Sequence, residues 1–329
     1  MRFFKAALIA PLLAGLAGCH MTVMDPAGDV ATQQRDLILL STALMLLIVV
    51  PVIAATLFFA WKYRASNTRA KYDPEWHHST RLEVLVWAAP MAIIFVLGTV
   101  AWISSHTLDP YRQLDRLAPH RPVPAGVKPL EVQVVALDWK WLFIYPELGV
   151  ASVNEMAAPV DRPIEFQITA TSVMNSFYVP ALAGQVYAMP GMQTQMHAVI
   201  NRAGVYDGIS ANYSGAGFSD MRFKFKGMAQ GDFDRWVAAL RADPARLTRA
   251  DYLQLAQPST DQPVRHYASV EPGLFAAIVN RCVEPGQACM DQMPGMTRAD
   301  AGQMAMPSSE PVGGAAPHHA AMTAPVGGE

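Results

Sequence analysis

The stretch Leu37–Trp61, LILLSTALMLLIVVPVIAATLFFAW, contains no charged residue over 25 positions, and Val84–Ser105, VLVWAAPMAIIFVLGTVAWISS, contains none over 22. A helix needs about 20 apolar residues to cross the hydrocarbon core of a bilayer, so each stretch is long enough to span it. A buried core helix is the alternative for either stretch. We predict two transmembrane helices, at residues 37–61 and 83–105, within a hairpin that covers residues 37–106.

The charges around the two spans predict their orientation. The short loop at residues 62–82 carries Asp73 and Glu75 against five basic residues, which are Lys62, Arg64, Arg69, Lys71 and Arg81. Before the first span, Arg35 is the basic residue closest to the membrane. Because loops rich in Lys and Arg stay in the cytoplasm, we expect the loop there and both ends of the hairpin outside.

The first residues resemble a bacterial lipoprotein signal. A positively charged start is followed by an apolar run at residues 6–13, too short to span a bilayer, and by LAGC at residues 16–19. This tetrapeptide matches the lipobox, in which the cysteine is lipidated and becomes the first residue of the mature chain. We expect a signal peptide at residues 1–18, a lipid anchor at Cys19 and a periplasmic segment at residues 19–36. An ordinary signal peptide with an incidental cysteine is the alternative.

The composition of the 329 residues fits a membrane protein with a substantial water-soluble part. Apolar residues make up 52% of the chain and charged residues 16%, where soluble domains have about 25%. The net charge of -2 gives no basic surface for nucleic acid, and the apolar content excludes a disordered chain. We therefore expect membrane lipid, and no nucleic acid, among the partners.

From about residue 129 the pattern changes to alternation. Residues 130–136, 164–168 and 221–226 alternate between apolar and polar side chains over most of their length. This period is typical of strands with one buried and one wet face. We predict an antiparallel β-sandwich at residues 129–228, reached from the hairpin by a linker at residues 107–128.

Helical patterns follow the sandwich. Apolar residues within 233–240 recur at the spacing of one helix face, and Thr248 with Asp251 resembles a capping box. We predict a small helical arm at residues 229–283. Residues 284–329 are rich in Ala, Gly, Pro and Met and lack periodicity, which predicts a disordered tail. The methionines and histidines of this tail suit Cu(I) chemically, with plain composition bias as the alternative.

Three segments of the predicted sandwich carry a family resemblance. They are DWKWLFIYP at residues 138–146, SVMNSFYVP at residues 172–180 and SANYSGAGFSDM at residues 210–221. Together they resemble subunit II of the haem-copper terminal oxidases, and the resemblance runs from about residue 16 to about residue 283. It implies a membrane α+β fold: a two-helix transmembrane hairpin, a periplasmic cupredoxin-like Greek-key β-sandwich and a small helical C-terminal arm.

The same segments depart from the family where copper is bound. Cytochrome c oxidases hold a dinuclear copper centre on a His before Ser-Phe and on a Cys-x3-Cys-x3-His-x2-Met pattern, with a Glu carbonyl between the cysteines. The matching positions here are Asn175, Ser210, Asn212, Ser214, Phe218 and Met221, so the methionine alone is retained. Copper that cycles through Cu(I) needs thiolate and imidazole ligands, and the sequence has no cysteine between residues 19 and 282. We expect no metal on this chain, with Asn175 and Phe218 filling the former ligand positions as core residues.

The copper-less branch of this family consists of the quinol oxidases, and the strings quoted above are most similar to subunit II of the cytochrome bo type. The resemblance implies that ubiquinol is oxidised in subunit I of a bacterial inner-membrane complex. Two haems and a copper in subunit I also reduce oxygen and drive proton pumping, and subunits III and IV complete the complex. This chain would then be a structural and assembly subunit with no cofactor of its own. The alternatives are a cytochrome c oxidase subunit II that transfers electrons, and a free-standing membrane-anchored binding lipoprotein.

Glu83 stands one residue before the second uncharged stretch, and acidic residues near membrane depth are often functional. In the family, a Glu at the matching position lies at the mouth of a proton-conducting channel into subunit I. A boundary carboxylate at the level of the lipid headgroups is the alternative.

Two further pairs of residues have distinctive chemistry. Cys282 and Cys289 lie close together in an exported, oxidising compartment, where we expect a disulfide; free thiols and metal binding are the alternatives. Trp139 and Trp141 lie two positions apart on a predicted strand, so we expect them to share a face and to serve packing.

Overall fold

A computed structural model describes residues 21–71 and 73–292 of the chain. The predicted signal peptide, the lipobox cysteine Cys19 and the predicted tail from residue 293 onward lie outside the described residues. Residues 284–292, which the sequence pattern assigns to the tail, are described and end in a short 3-10 helix at Met290–Gln292.

Two long helices occupy the uncharged stretches. They are α1 at Asp29–Lys62 and α2 at Thr80–Thr107. No part of the apolar window of either helix is buried by the rest of the described chain. Helices of this composition need lipid or other membrane helices around them, which agrees with the predicted hairpin.

Helix α1 begins before the predicted span, inside the segment at 19–36 that the sequence assigns to the periplasm. A helix of 34 residues is about 51 Å long, whereas the hydrocarbon core is about 30 Å thick. The first turns therefore extend beyond the membrane, where Asp29, Val30 and Ala31 are buried. At the preceding Gly28, a Cβ atom would lie 2.5 Å from Val199 O, so the close approach to the sandwich requires glycine.

The part of the chain after the hairpin folds mainly as two packed sheets. The fifteen strands within the described residues are β1 (Arg116–Ala118), β2 (Arg121–Pro122), β3 (Leu130–Leu137), β4 (Lys140–Tyr145), β5 (Val150–Val153), β6 (Glu155–Pro159), β7 (Pro163–Ala170), β8 (Asn175–Tyr178), β9 (Val186–Ala188), β10 (Thr194–Val199), β11 (Gly204–Ser210), β12 (Arg222–Met228), β13 (Arg246–Leu247), β14 (Arg265–Tyr267) and β15 (Ser269–Val270). One sheet has the order β10-β7-β3-β4-β5-β14 and the other β6-β12-β11-β8-β9. A small hairpin, β1-β2, lies within the predicted linker.

The two sheets are mixed rather than wholly antiparallel as predicted. Strands β3 and β7 pair in parallel, and so do β6 and β12. The chain leaves the six-stranded sheet after β5, passes through the other sheet as β6 and returns as β7, so β7 runs in the direction of β3. The apolar–polar alternation of the sequence corresponds to alternating burial of the side chains. In β12, Phe223 and Phe225 are buried, while Arg222 and Lys224 are exposed.

Aromatic rings fill the space between the sheets. Phe177 stacks on Phe223, with ring centroids 5.4 Å apart and ring planes 8° apart. Trp141 meets these two rings edge-on, at centroid distances of 5.5 and 5.6 Å. All three side chains are buried, so this cluster removes three large aromatic surfaces from water.

The arm after the sandwich contains both helices and strands. Its helices are α3 (Gln230–Arg241), α4 (Arg249–Leu255) and α5 (Leu274–Val279), and the capping box predicted at Thr248 and Asp251 is formed. The arm differs from the prediction in supplying β14, which pairs with β5 at the edge of the six-stranded sheet. Pairing there covers backbone groups that an open edge would leave unsatisfied.

Lys140 ties the arm to the sandwich. Its side chain is 1% exposed, and Nζ donates to Asp138 O at 3.0 Å, to Gln257 O at 2.8 Å and to Ser259 Oγ at 2.6 Å. Burial lowers the pKa of Lys140, while the nearby Asp138 carboxylate acts in the opposite direction. The three acceptors satisfy every N–H of an ammonium group, which explains how the sandwich tolerates a buried cation.

Candidate functional site

The positions that hold copper in the family lie at one end of the sandwich. Strand β8 pairs with β11 so that Phe177 lies opposite Ser210. The loop at residues 211–221 then crosses this end before β12 begins and carries the remaining positions. The fold therefore gathers the candidates from two strands and one loop.

Asn175 and Ser210 form a buried polar pair. Ser210 Oγ lies 3.1 Å from Asn175 Oδ1 and 3.2 Å from Asn212 O, which are two acceptors for its single proton. The Asn175 amide donates to Val173 O at 3.2 Å. Asn175 is 1% and Ser210 4% exposed, so both need these internal partners. The pair satisfies its own polar groups without an ion.

The other candidates are arranged around this pair in different environments. Ser214 and Met221 are buried, with Ser214 Oγ 4.0 Å from Met221 Sδ. The Asn212 amide donates to Met174 O at 3.1 Å. Phe218 is half-buried, and its ring meets the exposed ring of Tyr213 edge-on at 5.6 Å. Asn175 is therefore buried in the core, whereas Phe218, which the sequence analysis also assigns to the core, lies at the rim.

The two tryptophans do not lie on one strand, although both pack against the same apolar core. Trp141 lies in β4 and points into the core, but Trp139 precedes the first residue of that strand. The Trp139 indole donates from Nε1 to Ser214 O at 2.9 Å. A Cβ atom at Gly217 would lie 2.5 Å from the same ring, so glycine lets the loop at residues 211–221 rest directly on it. Trp139 thus supports the loop that carries the candidate positions.

The donor set at this end of the sandwich does not fit a dinuclear copper centre. It offers two serine hydroxyls, two amides and one thioether, whereas such copper needs bridging thiolates and imidazoles. Within residues 21–71 and 73–292, no group of three or more His, Cys, Asp or Glu is arranged to hold a metal ion. His197 lies on β10 in the other sheet, and burial lowers its pKa.

Glu83 lies in the first turn of α2, at the end of the hairpin opposite the sandwich. Its Oε1 is 2.8 Å from His78 Nδ1, and more than half of each side chain is exposed. A carboxylate in the first turn is also favoured by the helix dipole.

The arm places Cys282 and Cys289 together. The two sulfurs are joined as a disulfide, and the Cα atoms are 4.8 Å apart. Cys282 is buried in the arm's apolar core.

Comparisons with known proteins match the same regions. Residues 147–227 match the family described as "Cytochrome C oxidase subunit II, periplasmic domain", and residues 241–286 match the "COX Aromatic Rich Motif". The chain is 51% identical over 280 residues to the "Cytochrome bo(3) ubiquinol oxidase subunit 2" of Pseudomonas aeruginosa, covering 85% of this chain and 82% of that one. It is 49% identical over 264 residues to the "Ubiquinol oxidase subunit 2" of Acetobacter aceti, covering 80% and 83%. The periplasmic domain of cytochrome oxidase subunit II of Bradyrhizobium japonicum aligns at 25% identity and a TM-score of 0.33, covering 36% of this chain and 95% of that structure.

The two apolar helices, the cupredoxin-like sandwich and the aromatic-rich arm define the class of an oxidase subunit II. Within that class, the chain belongs to the ubiquinol oxidase subunit 2 family. The respiratory oxidase family inferred from the three sequence segments is therefore confirmed.

Proposed function

We propose that this chain is subunit II of a ubiquinol oxidase of the cytochrome bo type and that it holds no redox centre. The observation that carries the proposal is the buried Asn175–Ser210 pair, at positions where copper-bearing members of the family have an imidazole and a thiolate. Electrons from quinol have no carrier on this chain, so they pass directly to the haems expected in subunit I. This chain contributes structure and assembly rather than electron transfer.

The hairpin is the proposed docking surface for subunit I, with subunits III and IV completing the complex. Large apolar side chains of α1 and α2, such as Leu47, Trp87 and Phe95, are 65–72% exposed. Surfaces of this kind pack against lipid or other membrane helices. The basic loop supports a cytoplasmic position for residues 62–82, with the sandwich on the periplasmic side of the inner membrane. The lipobox supports a lipid anchor at Cys19.

For Glu83 we propose a place at the entrance of a proton path into subunit I. The carboxylate lies at the end of the hairpin that carries the basic loop, and it is in contact with the His78 imidazole at 2.8 Å. Because both side chains are more than half exposed, they can exchange protons with water.

The disulfide between Cys282 and Cys289 is proposed as a structural feature of the exported arm. The Cα distance of 4.8 Å lies within the range of unstrained disulfides. Cys282 is 3% exposed, so the bond fixes the end of the described chain to the core beneath α5.

Isolation of the tagged full chain in mild detergent tests the proposed function. We expect haem-bearing partner subunits to accompany it, and we expect the preparation to consume oxygen with ubiquinol but not with reduced cytochrome c. Purification of the chain alone, without haem, would instead support a free-standing lipoprotein. Rapid oxygen uptake with reduced cytochrome c would support an electron-transferring subunit II.

A further inference from the structure

The loop between the two membrane helices carries positive charges that the chain itself does not neutralise. Residues 62–82 contain five basic residues against Asp73 and Glu75, so the net charge is +3 with the histidines neutral. The basic residues are Lys62, Arg64, Arg69, Lys71 and Arg81. Within residues 21–71 and 73–292, none of these five forms an ion pair. On the sandwich, by contrast, Lys226 pairs with Glu155 at 2.7 Å.

Two of these cations lie against aromatic rings at the end of α1. Lys62 Nζ is 5.5 Å from the ring centroid of Phe58 and 5.4 Å from that of Tyr63. The Arg64 guanidinium is 5.4 Å from the ring of Trp61. Trp61 and Tyr63 are exposed, and such rings at the ends of membrane helices lie at the level of the lipid headgroups. Both cations are therefore held at the depth of the lipid phosphates.

Hydrogen bonds within the loop fix the position of Arg64. Its Nε donates to Ser66 Oγ at 3.0 Å, and its Nη1 donates to the carbonyl oxygen of Trp61 at 3.3 Å. The Asn67 amide donates to Lys62 O and closes the turn that follows α1. A guanidinium presents its N–H groups as a planar fork, so with Nε and Nη1 held by the loop, Nη2 remains for an anion.

The ligand that fits this position is a phospholipid with a net negative charge. Its phosphate accepts charge-assisted hydrogen bonds from guanidinium and ammonium groups. Phosphatidylcholine carries an ammonium that offsets its phosphate, whereas phosphatidylglycerol keeps a net negative charge. Basic residues beside a membrane surface attract anionic lipids, so the charge of the loop selects the second kind of headgroup.

We propose that the loop at residues 62–82 binds the headgroup of an anionic phospholipid, of the phosphatidylglycerol class. Lys62 and Arg64 bind its phosphate, and the other cations of the loop strengthen the attraction. The acyl chains lie beside the end of α1, where Leu57 and Trp61 are exposed. The bound lipid anchors this end of the hairpin at the membrane surface.

Competition between two lipids on the purified, complete assembly tests this site. The assembly is washed in an uncharged detergent and incubated with equal amounts of phosphatidylglycerol and phosphatidylcholine that carry the same acyl chains. Bound lipids are then counted by native mass spectrometry, with and without an excess of inorganic phosphate. We expect phosphatidylglycerol to be retained in preference to phosphatidylcholine, and we expect it to stay bound when inorganic phosphate is added.

Three variants locate the preference on the loop. Arg64→Gln removes one charge and is expected to weaken the retention of phosphatidylglycerol about fivefold, which corresponds to one basic residue at a membrane surface. Arg64→Lys keeps the charge and is expected to keep most of the preference. Arg246→Gln is the matched control, because it removes an exposed guanidinium from the arm, outside the hairpin, and should leave both lipid counts unchanged.

Four results would overturn the site. They are equal retention of the two lipids by the unmodified assembly, a full preference in Arg64→Gln, an equal loss in Arg64→Gln and Arg246→Gln, and displacement of the lipid by inorganic phosphate. If Arg64→Gln does not assemble, the same count on Lys62→Gln decides the question. Lipid counting needs neither haem nor oxygen uptake, so failure of the oxidase assay leaves this test intact.

Discussion

Replacing Phe177 with alanine is expected to destabilise the sandwich by about 3–5 kcal/mol, because it opens a cavity in a fully buried aromatic cluster. Phe177 is 0% exposed and contacts Phe223, Trp141 and Phe166 at centroid distances between 5.3 and 5.5 Å. Domains of this size are stable by about 5–15 kcal/mol, so the loss is a large part of the total. Thermal unfolding of the full chain in detergent, followed by near-ultraviolet circular dichroism, should show a midpoint lowered by roughly 6–20 °C, at about 2–4 °C per kcal/mol for the sandwich with its arm.

Tyr213→Ala is the matched control for this substitution. Tyr213 is also aromatic and lies near the same end of the sandwich, but it is 75% exposed. Its removal is expected to change the free energy of unfolding by no more than about 0.5 kcal/mol. Equal midpoints for the two variants would contradict the assigned core.

Glu83→Ala is expected to slow quinol-driven oxygen uptake about tenfold, which is less than the roughly 10²–10⁴-fold that a positioned proton-transfer group contributes. The expectation rests on the proposed proton path and on the contact of Glu83 with His78. Because the side chain is more than half exposed and has no structural partner in the sandwich, haem content and subunit content should be unchanged. Steady-state turnover of the purified assembly, normalised to haem, measures the effect.

Two further variants define the role of this carboxylate. Glu83→Gln keeps the size of the side chain but removes the titratable group, and we expect it to be as slow as Glu83→Ala. Glu75→Gln removes a carboxylate from the neighbouring loop, before the start of α2, and we expect it to have normal turnover. Normal turnover in a fully assembled Glu83→Ala protein would refute the proton-path assignment and favour a simple boundary carboxylate.

The sequence predicts those helices and strands whose environment leaves a regular pattern of apolar residues along the chain. Uncharged runs predict α1 and α2 because lipid excludes charge over the whole length of a span. Alternation predicts strands such as β12 because one face of a sheet is buried and the other is wet. The oxidase family is predicted by strings that include Asn175 and Ser210, at positions where the resemblance places metal ligands.

The features that the sequence did not predict depend on contacts between distant residues. In the sequence, Asp29 is simply a polar residue before a membrane span. In the structure it is buried and accepts a hydrogen bond from Arg116, which lies 87 positions away. From the sequence, Lys140 would be assigned to the solvent-exposed face of a strand. In the structure its ammonium group donates hydrogen bonds to carbonyl and hydroxyl oxygens of the arm. Strand β14 is likewise short and carries no clear alternation, and it forms because the edge of β5 is available to pair.

Near-infrared and electron paramagnetic resonance spectra of the purified assembly test the central claim most directly. The account predicts no signal from a thiolate-bridged dinuclear copper centre, because Asn175, Ser210, Ser214 and Phe218 provide neither a thiolate nor an imidazole. A variant that combines Asn175→His, Ser210→Cys, Ser214→Cys and Phe218→His restores the family's histidines and cysteines and serves as the positive control. A dinuclear copper signal of one centre per chain in the unmodified protein would contradict the account.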